Sequence, residues 1–282
     1  MEVKILSHED VLEKLPERAV SSHKGNYGRV LLLCGSRGYT GAAALSTMGA
    51  LRTGAGLVYL GVPECIYAIE ATKLSEPIVL PLPDRNGRIS RRSIKEIDKL
   101  LPKMDAVLIG PGLGCSMDTL TVTEHVLSVF PGPVVLDADG INVISSHKNV
   151  LRDRTSPTIL TPHEGEFLCL GGDRDCPRQE GAESLARDLG AIIVRKGHNT
   201  VITDGERTYI NPTGNPGMAV GGSGDVLAGM IVSLIGQKFE PLDAAGCAAW
   251  LHGAAGDICA REIGQYGMLP SDLLQVLPRL MK

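Results

Sequence analysis

Gly221-Gly222-Ser223-Gly224-Asp225 sets four small residues in front of a carboxylate, where a Gly/Pro-rich loop runs straight into an apolar, helix-spaced stretch ending near Gly236. Glycines at a helix start let the backbone come close to a ligand, and the first amides of a helix have no partner inside it. Such an end favours anions, phosphate above all. A carboxylate there opposes a phosphate unless it takes a proton from whatever attacks that phosphate. The pattern therefore points to phosphoryl transfer with Asp225 as base, against the plainer reading of Asp225 as a helix cap.

Other segments carry weaker chemistry of their own. Gly35-Ser36-Arg37-Gly38-Tyr39-Thr40-Gly41 has GxxGxxG spacing, neither the GxGxxG of a dinucleotide fold nor a loop ending in GK[ST]. Gly110-Pro111-Gly112-Leu113-Gly114 falls at the carboxyl end of a predicted parallel strand, the edge where open α/β sheets bind ligands. Lys196-Gly197-His198-Asn199-Thr200 reads locally as a tight turn. His163 reads as a hydrogen-bonded surface residue after a strand. Asp137 and Asp139 read as a capped helix start.

The elements that must position these groups alternate regularly. Apolar runs predict strands at Arg29–Gly35, Leu57–Pro63, Ile78–Leu82, Ala106–Gly110, Pro133–Asp137, Thr158–Thr161 and Ala191–Arg195. Between them, helices are predicted at Gly41–Thr53, Ser90–Leu101, Met117–Phe130 and Arg178–Leu189. A hairpin follows (Thr200–Asp204, Arg207–Ile210), then helices Ser223–Ile235, Pro241–Ile263 and Ser271–Leu280. The small residues of Pro241–Ile263, Ala244 to Ala255 among them, suggest close helix–helix packing. The expected fold is a three-layer α/β/α with a mostly parallel, doubly wound sheet. With no linker, repeat or low-complexity tract, residues 1–282 are expected to form one domain.

Composition removes several functional classes. A net charge of −4 gives no general attraction to nucleic acid or anionic membranes, and 4% aromatic residues leave little to stack on bases. The seven cysteines lack CxxC spacing, so neither a zinc site nor a disulfide framework is expected. No signal core opens the chain and no apolar run reaches the ~20 residues that span a bilayer. The expected setting is cytoplasmic, with reduced thiols.

The segment NPTGNPGMAVGGSGDVLAG resembles the anion-hole region of the ribokinase-like superfamily and, more narrowly, that of the ADP/ATP-dependent NAD(P)H-hydrate dehydratases. Similar pieces run through nearly the whole chain in order: HKGNYGRVLLLCGSRGYTGAAAL, IGPGLG, VLDADGIN, LTPHEGEF and VRKGHNTVITDG. The resemblance implies that Asp225 is the catalytic base and contacts substrate. It implies that Ala43, Gly112 or Gly114, and His163 line the substrate pocket. Lys196, Gly197, His198, Asn199 and Thr200, with Gly222, Ser223 and Gly224, would bind the nucleotide. The VLDADG aspartates would lie near the phosphates and metal. Related kinases show Asn-x-x-Glu where this chain has His163-x-x-Glu166, a departure shared with the dehydratases; Glu166 would reach Mg²⁺ through water.

By the same resemblance, the reaction is repair: the S-epimer of NAD(P)H hydrate is phosphorylated at its 6-hydroxyl by ADP or ATP, ADP being favoured, and phosphate is then eliminated. Family members often carry an additional epimerase domain, for which this chain starts too close to the dehydratase portion, so a separate epimerase is the expected partner. A homotetramer is expected. The alternative is a vitamin-precursor kinase on the same fold; a hydride-transferring Rossmann enzyme and a non-catalytic nucleotide sensor are more distant readings.

Overall fold

The computed structural model describes residues 2–15 and 17–282. Its main sheet has ten strands in the order β1-β12-β11-β10-β9-β8-β7-β2-β3-β4. The strands are β1 (Glu2–Ile5), β2 (Arg29–Leu33), β3 (Leu57–Pro63), β4 (Ile78–Leu82), β7 (Ala106–Ile109), β8 (Val134–Leu136), β9 (Thr158–Leu160), β10 (Ile192–Arg195), β11 (Thr200–Thr203) and β12 (Arg207–Asn211). Two short strands, β5 (Asp84–Arg85) and β6 (Arg88–Ile89), pair only with each other. From β10 to β4 all neighbours are parallel, whereas β11 is antiparallel to both β10 and β12. The chain builds outward from β2 in both directions, which puts a topological switch point between β2 and β7. A crevice opens there at the carboxyl edge.

Burial on both faces explains the unbroken apolar runs. Along β2 and the residue after it, Val30, Leu32 and Cys34 enter one core, while Leu31 and Leu33 enter the other. The first core is completed by α2 (Thr40–Arg52), α10 (Ser223–Gly236), α11 (Pro241–Glu262) and α12 (Pro270–Leu280). The second lies under α4 (Ile94–Leu100), α5 (Met117–Val129), α6 (Asp139–Ile144), α7 (Asn149–Arg152), α8 (Glu164–Cys169) and α9 (Arg178–Leu189). Helices α1 (His8–Lys14) and α3 (Glu64–Lys73) complete the set.

The predicted strands and long helices stand within a residue or two of expectation. The predicted helix Ser90–Leu101 breaks into a 3₁₀ turn at Arg91–Ser93 followed by α4, because Ser90 caps the turn through the Arg92 amide. Strand β1, helices α1, α3, α6, α7 and α8, and the β5–β6 hairpin are additions that periodicity did not reveal. Several are of only two to seven residues, too short to show a period.

The small residues of α11 serve two kinds of approach: Ala244, Ala245, Ala248 and Ala249 lie in the core shared with α10, as expected of close helix packing. Gly246, Gly253 and Gly256 face Tyr209, Thr213 and Met218, so they also admit β12 and the segment after it. A second close helix pair is α2 with α10. A Cβ on Gly229 would stand 2.0 Å from the Ser46 carbonyl oxygen, and one on Gly49 would stand 2.5 Å from that of Val226. Because the obstacle is backbone, Gly229→Ala should destabilise the fold by about 1–3 kcal/mol in urea unfolding, despite the better helix propensity of alanine. Gly41→Ala, whose Cβ meets nothing within 4 Å, should be neutral or stabilising. Equal effects of the two would mean that the helices are not in backbone contact.

Candidate functional site

Every segment singled out for chemistry, apart from the start of α10, follows the carboxyl end of a parallel strand. The Gly35–Gly41 loop leaves β2, Gly110–Gly114 leaves β7, Asp137–Asp139 leaves β8, His163–Glu166 leaves β9 and Lys196–Asn199 leaves β10. The first two loops are tied together: the Gly35 amide donates to the Pro111 carbonyl (2.8 Å) and Ser36 Oγ to the Gly112 carbonyl (2.7 Å). A Cβ on Gly110 would sit 1.8 Å from the Asp137 carbonyl oxygen, and one on Gly112 2.8 Å from Ala42 Cβ. Glycine is required there for approach as well as for positive φ.

Helix α10 ends against this edge. Gly222 is its N-cap, at φ 99°, and no side chain caps the helix. The Ser223 amide closes a turn onto the Val220 carbonyl at 3.3 Å. Among the described residues, no protein oxygen accepts from the amides of Gly222, Gly224 or Asp225. Of Gly222, Ser223 and Gly224, expected to bind the nucleotide, Gly222 and Gly224 have open amides, as does Asp225. Lys196 Nζ lies 3.3 Å from the place of a Gly224 Cβ, so an ammonium and free amides converge on one spot. That is an anion site.

Carboxylates surround it. Lys196 Nζ donates to Asp137 Oδ1 at 2.8 Å and stands 3.9 Å from Glu166 Oε2; Thr161 Oγ1 also donates to Asp137 Oδ1, at 2.6 Å. Burial works against the Lys196 ammonium, but Asp137, Glu166 and Asp225 outweigh it and hold its pKa above the ordinary lysine value. Burial, then the charges of Asp137 and Asp139, push Asp225 up to about 6, with Lys196 pulling the other way. A base near neutrality suits proton abstraction far better than the ordinary aspartate value near 4. Asp139 accepts from the Gly114 amide at 2.8 Å, joining the β7 and β8 loops. Between the two aspartates Ala138 is held at φ 48°, ψ −117°, a backbone region that L-residues rarely adopt. Strain of this kind survives where the surroundings fix it.

His163 and Glu166 form a reciprocal cap on α8: the Glu166 amide donates to His163 Nδ1 (3.2 Å) and the His163 amide to Glu166 Oε2 (2.9 Å). With Nδ1 accepting, Nε2 carries the proton, 3.2 Å from Glu166 Oε1. The ring stays largely exposed at the ligand edge. Both Glu166 oxygens are thus engaged, and burial raises its pKa despite Lys196. No cluster of three or more His, Cys, Asp or Glu able to hold a metal occurs among the described residues. The donor set does not form a protein cage for Mg²⁺, so any hold of Glu166 on the ion would act through water.

Gly197 to Thr200 make a tight turn, with Asn199 at φ 52° and Thr200 Oγ1 donating to the Gly197 carbonyl at 2.9 Å. His198 and Asn199 are exposed beside Lys196, so turn geometry and ligand-edge position coincide. Ala43, expected from the resemblance to line the substrate pocket, lies in the first turns of α2. It is fully buried in the first core, behind Gly35, and offers no side-chain surface to a ligand.

Two positioning groups were not legible in the sequence. Arg178 Nη2 donates to the carbonyls of Arg195 (2.7 Å) and Lys196 (2.6 Å), and both arginines bind Glu164 at the start of α8. His252 is buried beside Ser223 Oγ at 3.4 Å, and burial drives its pKa down to about 4. They lie 18 and 29 residues from their partners, beyond any local spacing.

A doubly wound sheet with an open helix start and a buried carboxylate at its ligand edge defines an α/β protein of the nucleotide-binding type of architecture. The family model of the NAD(P)H-hydrate dehydratases matches residues 30–279. The chain is 43% identical over 276 residues to the bifunctional NAD(P)H-hydrate repair enzyme of Moorella thermoacetica, covering 95% of this chain and 52% of that protein. It is 36% identical over 295 residues to the ADP-dependent (S)-NAD(P)H-hydrate dehydratase of Bacillus subtilis, covering 100% of this chain and 99% of that one. The crystal structure of the Bacillus subtilis ADP/ATP-dependent NAD(P)H-hydrate dehydratase co-crystallised with ATP/Mg²⁺ superposes with a TM-score of 0.85 at 33% identity, over 99% of this chain and 98% of that one. The chain belongs to the NAD(P)H-hydrate dehydratase family, on the ribokinase-like fold expected of it. It spans about half the length of the bifunctional relatives.

Lys196→Met removes the one cation that pairs with Asp137 among the described residues and leaves that carboxylate buried without a counter-charge. The loss should be about 3–5 kcal/mol at pH 7 by chemical denaturation. It should shrink as the pH falls and the stranded carboxyls take up protons. A pH-independent loss would show that the ion pair is not its source.

Proposed function

We propose that the chain dehydrates the S-epimer of NAD(P)H hydrate to NAD(P)H at the expense of ADP or ATP. The carrying observation is Asp225, raised to about 6 in the first turn of a helix whose leading amides face no protein acceptor. The substrate's 6-hydroxyl attacks the terminal phosphorus of the nucleotide. An O–P bond forms, the bridging P–O bond breaks, and Asp225 takes the hydroxyl proton. Hydroxide, a poor leaving group, has become a phosphate ester. The ring-nitrogen lone pair then expels phosphate from C6, and loss of the C5 proton restores the C5–C6 double bond.

The amides of Gly222, Gly224 and Asp225, with Lys196, hold charge on the transferring oxygens. His198, Asn199 and Thr200, after β10, bound the nucleotide; Gly112, Gly114 and the exposed edge of His163 bound the hydrate. Mg²⁺ enters as part of the nucleotide substrate, neutralising its phosphates, with Glu166 acting through water. ADP as the favoured donor rests on the similarity to the Bacillus subtilis enzyme, whose name specifies it. We take residues 1–282 to work as one domain, assembled as a homotetramer in the cytoplasm and supplied by an epimerase that equilibrates the substrate's epimers. No helix among the described residues is long and apolar enough to cross a membrane.

Incubation with NADH hydrate, Mg²⁺ and either ADP or ATP should restore the reduced-nicotinamide absorbance and release inorganic phosphate. A stable phosphorylated product without NADH would establish a kinase instead. Asp225→Asn should retain nucleotide affinity and lose at least ~10²-fold in turnover. Because the base must be ionised, wild-type kcat/KM should rise with pH through about 6 and level off above it. A profile flat from pH 5 to 8, or near-normal turnover of the Asn variant, would remove Asp225 from the base role.

A further inference from the structure

The β5–β6 hairpin lies outside the main sheet, directly after the carboxyl end of β4. Arg88 extends from it across the Gly110–Gly114 loop: its Nε stands 2.4 Å, and its Cδ 2.9 Å, from the place of a Gly114 Cβ. Arg37, from the Gly35–Gly41 loop, crosses the hairpin turn with its Cβ 2.6 Å from the place of a Gly87 Cβ, and its amide donates to the Gly87 carbonyl at 2.8 Å. Both side chains are exposed. Neither has a carboxylate within ion-pairing distance among the described residues, whereas neighbouring Arg91 is paired with Asp118.

Geometry says what these two cations face. The nucleotide-side turn follows β10, and β10 is three strand spacings from β7, about 14 Å. The hairpin follows β4, three spacings from β7 on the opposite side, again about 14 Å. With the phosphoryl donor on the β10 side and the reacting ring at the switch point, the remote half of a dinucleotide has the β4 side left to it. Between the two halves lies a pyrophosphate. Guanidinium forks match phosphate oxygens bidentately, and two without a carboxylate partner, on adjoining loops at the β4 side of the crevice, form a fitting receptor.

We propose that Arg88, with Arg37, grips the pyrophosphate of the hydrated dinucleotide and so makes the site select a dinucleotide over a smaller hydrated nicotinamide. This rests on the dehydratase reading above. The grip is remote from the bond changes, so it acts on substrate affinity and leaves the chemical step alone.

Steady-state kinetics of Arg88→Gln, with saturating ADP and Mg²⁺, test the grip. KM for NADH hydrate should rise ~10-fold, the size expected for a charge-assisted pair, while KM for ADP and kcat stay within about twofold. Hydrated reduced nicotinamide riboside, which carries no phosphate, should be processed equally by wild type and variant. Equal losses on both substrates would show that Arg88 merely props the Gly114 loop, and would overturn the proposal. Equilibrium binding of NADH, followed by its fluorescence, separates this inference from the reading beneath it. About tenfold weaker binding by Arg88→Gln supports the grip even if the wild type has no dehydratase activity; unchanged binding overturns it whatever the activity.

Discussion

An α-helix whose leading amides stay open to a ligand has to be held by the rest of its length. In this chain α10 is pressed against α2 so closely that glycine meets backbone at both crossings, Gly229 on Ser46 and Gly49 on Val226. Every residue of α10 from Val226 to Gly236 is buried. The apolar body of the helix fixes its axis, and its first turn is free to be polar. Gly222, the N-cap, is itself confined, since a Cβ there would run into Leu45 Cδ1 at 2.5 Å. Packing thus does for this helix start what a capping side chain does elsewhere, and leaves the amides unspent.

Against that start the parallel strands deliver charge in a fixed order. β8 supplies Asp137 and Asp139, β9 supplies Thr161 and the His163–Glu166 cap, and β10 supplies Lys196. Each carboxylate has an assigned partner: Asp137 holds Lys196 and Thr161, Asp139 the Gly114 amide, Glu166 the His163 amide. Asp225 is the exception, with no hydrogen-bond or ion-pair partner among the described residues. Burial, and after it the neighbouring charges of Asp137 and Asp139, keep its proton affinity high. A partnered carboxylate would be a counter-ion; an unpartnered one is available for chemistry.

Much of this could be read from the chain alone. Buried parallel strands leave unbroken apolar runs such as Val30–Leu33, and Gly221–Asp225 declares its helix start through glycine chemistry. Both signals are local. Ala43 marks another limit: resemblance fixes a position along the chain and not the direction of a side chain, and a residue of an N-terminal helical turn can face inward. The small residues of α11 signalled close helix packing but not that the loop around Thr213 also comes in against Gly253. Arg178, His252 and Arg88 act on partners brought in by tertiary folding, which no spacing encodes. Ala138 is hidden for the opposite reason: its backbone conformation is one that alanine disfavours, so its identity argues against the turn it makes.

The basin around Lys196 has an uneven balance. One ammonium stands among the carboxylates of Asp137, Asp139, Glu166 and Asp225. A naked polyphosphate entering it meets repulsion on most sides, and only one escorted by its own cation finds a neutral welcome. Entry is therefore filtered by how well a guest's charge is masked.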